Sequence, residues 1–332
     1  MILDGALESS VQAAVARLAR GALIGLPTET VYGLAAHADD EAAVARIFGT
    51  KGRPADHPLI VHVASPDGVA HYAREVPTFA RRLIDAFWPG PLTLILPRRE
   101  GVARAAAGGQ ESIGLRCPSH PVARRVLAAC AAHEPPLRGL AAPSANRFGR
   151  VSPTTARHVQ DEFGDALLVL DGGACEVGIE STIVDCTRGR PVLLRPGVLA
   201  TSALAQACGE RILSKEELLA HTPRASGTLS AHYAPRATVR LMAAKELQAG
   251  LNVLGSDAVH VAVYARTRLR LPVHSDLFVR MPDAPEAAAQ ALFAQLRAFD
   301  DAGARLIWVE APPEDPAWDG VRDRLQRAAA AR

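Results

Sequence analysis

Short apolar runs that stop at proline or glycine and alternate with amphipathic helical segments constrain the fold of this chain more than any other feature. The run at residues 22–26 halts at Pro27, which has no N–H for a sheet ladder and cannot continue a central strand. Runs at 59–63, 92–96, 112–116, 167–170, 183–185 and 192–194 repeat the pattern, and segments 8–20, 40–48, 78–88, 121–132 and 156–163 carry apolar residues at helical spacing. Ser9 or Ser10 is the expected cap of the first helix and Gly21 its terminator. Asp39 or Asp40 caps the second and Gly49 ends it, which places Lys51 and Arg53 on the loop beyond. Strand-like runs at 238–242, 259–264, 277–281 and 306–309 alternate with helical segments in turn, so the fold class is α/β with a second, smaller α/β domain. The Pro-, Gly- and Ser-rich stretch 208–235, with a short helical piece at 215–220, reads as a linker, which divides the chain into residues 1–207, 208–235 and 236–332.

The end of an α/β strand that opens into a polar loop is a usual place for a ligand. Leu26-Pro-Thr-Glu-Thr-Val-Tyr-Gly-Leu34 brings there the hydroxyls of Thr28, Thr30 and Tyr32, the carboxylate of Glu29 and the freedom of close approach at Gly33. Lys51 and Arg53 add a point charge and a planar fork suited to phosphate or carboxylate. Alternation over 112–116 turns Ser112 and Arg116 the same way. Ser144 and Asn146 offer a hydroxyl and an amide two residues apart, and Ser152 either binds a ligand or caps a helix with Pro153 at its first position. Taken singly, each of these is ordinary surface or turn chemistry. His57 and His62 lie near no cluster of His, Cys or Asp at metal spacing, so no protein-held metal is expected. Ser181 has no nucleophile-elbow motif around it, and no G-x-G-x-x-G or G-x-x-x-x-G-K occurs.

It is the order of these motifs that is specific. The 26–34 stretch, Lys51 to Pro54, His57-Pro-Leu59 to His62, Ser112 to Arg116, Pro143-Ser-Ala-Asn146, Gly178-Ile-Glu-Ser-Thr-Ile-Val-Asp185 and Leu194-Arg-Pro-Gly197 resemble, in sequence, the YrdC/Sua5 family. Ser226-Gly-Thr to His232-Tyr-Ala-Pro235 and the hundred or so residues after it resemble the long Sua5 form. The resemblance implies a YrdC-like twisted open sheet with flanking helices, followed by a Rossmann-like C-terminal domain. It also implies a nucleotidyltransferase activity, the synthesis of L-threonylcarbamoyladenylate and pyrophosphate from L-threonine, bicarbonate and ATP, for threonylcarbamoyl modification of adenosine 37 of tRNA.

By the same resemblance Lys51 and Arg53 serve catalysis and ATP, and His57, Ser112, Ser144, Asn146, Ser152, Arg195 and Tyr233 contact ATP. Thr30, Tyr32, His62, Arg116, Ala142 and Ser181 line the threonine site, and family relatives fold the linker back over it. Mg²⁺ is expected to arrive with ATP, held by its phosphates. Downstream tRNA threonylcarbamoyl-transfer proteins are the implied partners, with weak tRNA binding allowed. Two other classes compete: an RNA-binding module, and carbamoyl transfer as in a related domain of hydrogenase maturation proteins, whose zinc-finger cysteines are missing here.

Composition trims these options. With 332 residues, 48% hydrophobic and 22% charged, the chain can bury a core, and a net charge of +2 argues against a nucleic-acid coat. Five widely spaced cysteines without C-x-x-C suggest reduced thiols and neither disulfides nor zinc. The first residues lack a basic segment leading into an apolar one, and no apolar run approaches the roughly 18 residues of a membrane span, so a cytoplasmic location without membrane contact is expected.

Overall fold

The computed structural model describes residues 1–217, 224–227 and 232–331. Two compact units share the chain: residues 1–148 with 152–228, and residues 149–151 with 229–332. Parts of two sequence readings, the helical piece at 218–220 and the Thr228-Leu-Ser230 stretch, lie outside the described residues.

The first unit runs β1 (Ile2–Asp4), α1 (Glu8–Ala19), β2 (Ile24–Leu26), β3 (Gly33–His37), α2 (Glu41–Lys51), β4 (Ile60–His62), α3 (Val69–Tyr72), α4 (Thr78–Phe87), β5 (Leu92–Pro97), β6 (Ser112–Arg116), α5 (Pro121–Ala131), β7 (Leu140–Ala141), α6 (Ala156–Phe163), β8 (Leu168–Asp171), β9 (Thr182–Asp185), β10 (Val192–Arg195), α7 (Thr201–Cys208) and β11 (Leu213–Ser214). Its strands form one mixed sheet in the order β1-β8-β2-β3-β7-β4-β6-β5-β9-β10-β11. Successive side chains on a strand point to opposite faces. Leu34 and Ala36 accordingly join one apolar cluster with Ile47 of α2 and Leu83 of α4, while Ala35 joins another with Leu18 of α1 and Val126 of α5.

Three local readings change. The second helix passes through Gly49 and ends at Lys51, because Gly52 takes the left-handed cap at φ +63°. Asp40 caps its start, accepting from the N–H groups of Ala42 and Ala43. Lys51 therefore sits in the last helical turn, with the rigidity of that turn, and only Arg53 lies on the loop. The first helix starts after Leu7 with no side-chain cap, and Ser10 is buried inside it. Helix α6 is capped by Thr155, whose oxygen accepts from His158 N–H, so Ser152 is released for another partner. Strand β3 has no β-branched residue or polar alternation to announce it. Its place between β2 and β7 imposes the extended form.

These glycines give a test of opposite signs. Gly49 is an exposed helix-interior residue with open space around its Cβ position, whereas Gly52 has positive φ. Gly49→Ala is expected to stabilise by about 0.8–1 kcal/mol and Gly52→Ala to destabilise by about 1 kcal/mol, read as midpoints of denaturant unfolding. Equal signs would contradict this account of where α2 ends.

The second unit contains β12 (Thr238–Met242), α8 (Ala244–Leu254), β13 (Ala262–Ala265), β14 (Phe278–Arg280), α9 (Pro285–Asp301), β15 (Leu306–Glu310) and α10 (Asp319–Ala330). Its four strands pair only in parallel, in the order β12-β15-β13-β14. Parallel neighbours need crossovers, and the helices supply them. Leu213–Ser214, read as part of a linker, instead pairs with β10 at the edge of the first sheet. Among the described residues no helix is long and apolar enough to cross a membrane.

Candidate functional site

Pairing alone collects four polar side chains at one end of the first sheet. Strands β4 and β6 are parallel, so His62 and Arg116 end them as register partners. β5 runs against β6 and with β9, and β10 runs against β9, so Ser181, just before β9, and Arg195, the last residue of β10, reach the same end.

Arg116 organises the first cluster. Nε donates to the Gly90 carbonyl at 3.2 Å, Nη1 donates to Thr30 Oγ1 at 2.8 Å, and Nη2 lies 2.7 Å from Glu29 Oε1. Thr28 Oγ1 gives its single proton to the Val31 carbonyl at 2.6 Å. Thr30 must therefore be the donor in the 2.9 Å bond between the two threonine hydroxyls. The loop is thus wired to Arg116 by a one-way chain of protons. Glu29 is 3% exposed; burial works against its charge, yet the Arg116 guanidinium holds the carboxyl below its ordinary range.

Three cations form the second cluster. Lys51 is buried, and its ammonium donates to the Ser144 carbonyl at 2.5 Å and to the Asn146 carbonyl. Burial, aided by Arg53, lowers its affinity for a proton well below the usual lysine range, against the opposing pull of Glu162 and Glu180. Arg53 donates to the Pro58 carbonyl at 3.0 Å and reaches Ser226 Oγ at 3.5 Å, with its guanidinium 5.8 Å from the Phe148 ring centre. Arg195 donates from Nε to the Ser181 carbonyl at 3.0 Å, from Nη2 to Ser181 Oγ at 3.2 Å and from Nη1 to the Ser226 carbonyl at 2.8 Å. Ser181 Oγ also bonds Thr93 Oγ1 at 2.8 Å. Residues 224–227 therefore lie against two of the three cations. They are held there by an Arg224–Asp56 ion pair and by Arg224 N–H donating to Gln110 Oε1 at 3.0 Å.

The other expected residues fall into place around these clusters or apart from them. Ser112 shares a small cavity with Thr93, Gly114 and Ser226. His57 packs edge-on against Phe148 at 5.6 Å, and burial and Arg53 lower its basicity. Ala142 is buried beside Gly33, where an added Cβ would come within 3.1 Å of it, which is the close approach that the glycine permits. Asn146 donates from Nδ2 to the Arg147 carbonyl, and Ser152 Oγ donates to Glu180. Tyr32 is spent on structure: its hydroxyl donates to the Gly173 carbonyl at 2.7 Å and accepts from Gly172 N–H at 3.1 Å. Tyr233 belongs to the second unit, at φ +61°, with its ring 5.4 Å from Phe293 and the Arg324 guanidinium 5.3 Å away. Thr93, Glu180 and Ser226 were not among the expected site residues, and Glu29, expected in the ligand loop, had no role assigned. Their partners lie up to 173 residues distant, and no local pattern reveals the pairing.

His62 yields a pH prediction. Burial, with Arg116 beside it, pushes the imidazole from 6.5 down to about 3. The unfolded chain binds this proton near 6.5 and the folded one does not, so the contribution to stability is complete above 6.5 and is lost as pH falls toward 3, by about 1.4 kcal/mol per unit. His62→Gln should flatten the fall of unfolding free energy across this interval. A slope equal to that of the wild type would place the proton uptake elsewhere.

All five cysteines are free and buried, and among the described residues no three His, Cys, Asp or Glu side chains converge as metal ligands. A family model described as telomere recombination, covering the Sua5, YciO and YrdC proteins, matches residues 16–197. A second, described as the threonylcarbamoyl-AMP synthase C-terminal domain, matches residues 199–330. The threonylcarbamoyl-AMP synthase of Pyrococcus abyssi is 37% identical, over 97% of this chain and 94% of its own length. Its namesake from Bacillus subtilis is 33% identical, over 98% and 94%. The crystal structure of P. abyssi Sua5 complexed with L-threonine is similar to this chain at a TM-score of 0.85 and 36% identity, covering 96% of this chain and 94% of that one.

Proposed function

Since this chain belongs to the Sua5/YciO/YrdC family, we propose that it joins L-threonine, bicarbonate and ATP into L-threonylcarbamoyladenylate, pyrophosphate and water. The intermediate feeds threonylcarbamoyl modification of adenosine 37 of tRNA, through transfer proteins that act on tRNA downstream, in the cytoplasm. The observation that carries the reading is the adjacency of two differently charged clusters. Arg116, Glu29, Thr30 and His62 form a buried cluster of net-neutral character, and Arg195, bonded to Ser181, belongs to a set of three buried cations.

The chemistry brings anions together. The amine of threonine must be neutral to take up the carboxyl unit, and the resulting carbamate must then approach the α-phosphorus of ATP. Lys51, Arg53 and Arg195, all buried, offset triphosphate charge where fixed cations count for most. Arg116 suits a carboxylate through its planar fork. His62, held neutral by burial, can donate or accept without adding charge. Mg²⁺ is proposed to enter bound to the ATP phosphates, as a hard, hydrated cation commonly does. No protein nucleophile is required, so positioning and electrostatics carry the reaction.

The test is isotopic. Purified protein given ¹³C-bicarbonate, ATP, Mg²⁺ and L-threonine should form an adenylate carrying one ¹³C, detected by mass spectrometry. A labelled carbamate that depends on added tRNA would favour the RNA-binding reading, and no labelled adenylate in a folded preparation would exclude the synthase.

A further inference from the structure

Glu29 is the buried charge that the reaction above leaves without a task. It lies in the loop between β2 and β3, is 3% exposed, and its Oε1 is 2.7 Å from Nη2 of Arg116, itself 4% exposed. An ion pair out of water loses hydration that its mutual attraction returns only when the remaining oxygens and protons are hydrogen-bonded. Here they are not. Neither Glu29 oxygen nor Arg116 Nη2 makes a hydrogen bond of good geometry among the described residues, and neither does Nδ1 of the neighbouring His62. The backbone N–H groups of Ser119 and of Glu29 itself lie close enough to favour the carboxylate without completing a bond. The pair is thus matched in charge but short of hydrogen bonds, with two anionic acceptors and a cationic donor left uncommitted side by side.

We propose that Glu29 and Arg116 together recognise the amino acid as a zwitterion, Arg116 taking its α-carboxylate and Glu29 accepting hydrogen bonds from its α-ammonium. The assignment rests on L-threonine being the substrate. A zwitterion adds no net charge to a pocket that has none, and it supplies one ion to each member of the pair. Thr30 and Thr28 are poorer acceptors for an ammonium, because Thr30 Oγ1 already accepts from Arg116 Nη1 and Thr28 Oγ1 from Thr30 Oγ1 and the Thr30 and Val31 N–H groups, and neither carries a charge. A carboxylate ligand without an amine would leave Glu29 facing no cation but a shared Arg116, and a buried group left unpaired is what makes a polar site reject such an analogue.

Calorimetric titration of the full chain with L-threonine and with (R)-3-hydroxybutyrate, which is threonine without its amine, tests this. The wild type should prefer threonine by about 100-fold or more, and Glu29→Gln should bring the ratio close to one while ATP affinity stays unchanged. A wild-type ratio near one overturns the proposal, and needs no variant to do so. Equal weakening of both ligands in Glu29→Gln overturns it as well, since Glu29 would then only prop Arg116. Failure of the wild type to bind threonine at all, with or without ATP, would instead remove the substrate reading on which the proposal stands.

Discussion

Lys51→Ala protein is expected to release pyrophosphate from the complete substrate mixture about 10²–10³-fold more slowly than the wild type, the loss typical of removing one fixed charge or donor from a developing anion. The reason lies in where the ammonium sits. It is buried in the last turn of α2, aimed by a helix instead of a loop, and anchored on the Ser144 and Asn146 carbonyls with one proton to spare. Its proton affinity is lowered, first by burial and then by Arg53, and an anion bound beside it would favour the charged form. Lys51→Arg should not rescue activity, because a planar fork cannot share two carbonyls and still present a compact charge. Some stability falls with the side chain, about 1–3 kcal/mol for two carbonyls that lose a buried donor. Circular dichroism on the same preparation separates this from the kinetic loss. A folded variant within threefold of wild-type activity would take Lys51 out of the chemistry.

Arg116→Ala should be the most destabilising single substitution at the site, by about 3–5 kcal/mol, because it strands a buried carboxylate. The removed guanidinium also holds the Gly90 carbonyl and Thr30 Oγ1, so β5, β6 and the threonine-rich loop lose a common tie. Removing both charges distinguishes pairing from packing. Glu29→Leu combined with Arg116→Met should recover most of the stability, as apolar replacements of buried pairs commonly do, while threonine-dependent activity stays absent. A double variant as unstable as Arg116→Ala would mean that the hydrogen bonds, and not the buried charge, hold this region together.

How far these residues could be read without coordinates follows a physical line. Strand and helix positions came from periodicity, which is local: the 112–116 run became β6 with Ile113 and Leu115 in the core, as alternation required. Boundaries fixed by a single glycine were misjudged where two glycines stood close together, and only the positive φ of Gly52 decides that Lys51 belongs to the helix. The extended state of β3 depends on pairing with β2 just before it in the chain and with the distant β7, so its own five residues carry little trace of it. The same holds in the site. Arg53, Arg116 and Arg195 are conspicuous as cations near strand or helix ends, but which partner holds which cation, Glu29 for Arg116 and Ser181 with the Ser226 carbonyl for Arg195, is visible only once the sheet is assembled. Tyr32 shows the reverse case: a hydroxyl in the right stretch that the fold spends on the Gly172–Gly173 turn.

Residues 224–227 add a step to the expected kinetics. Arg195 and Arg53 bond Ser226, an uncharged stand-in for an anion, and ATP bound there as proposed above would have to compete with that contact or move it. The Arg224–Asp56 pair that helps hold the segment is more than half exposed on both sides and therefore weak, which suits a contact made and broken in each turnover.

The measurement closest to the central claim is pyrophosphate release by the purified full chain with ATP, Mg²⁺, bicarbonate and L-threonine, repeated with each component omitted in turn. Release that needs both threonine and bicarbonate, proceeds without RNA and is lost in Lys51→Ala and Arg53→Ala is the predicted result. Folded protein that releases none from the complete mixture, or releases it equally well without threonine, would contradict the account.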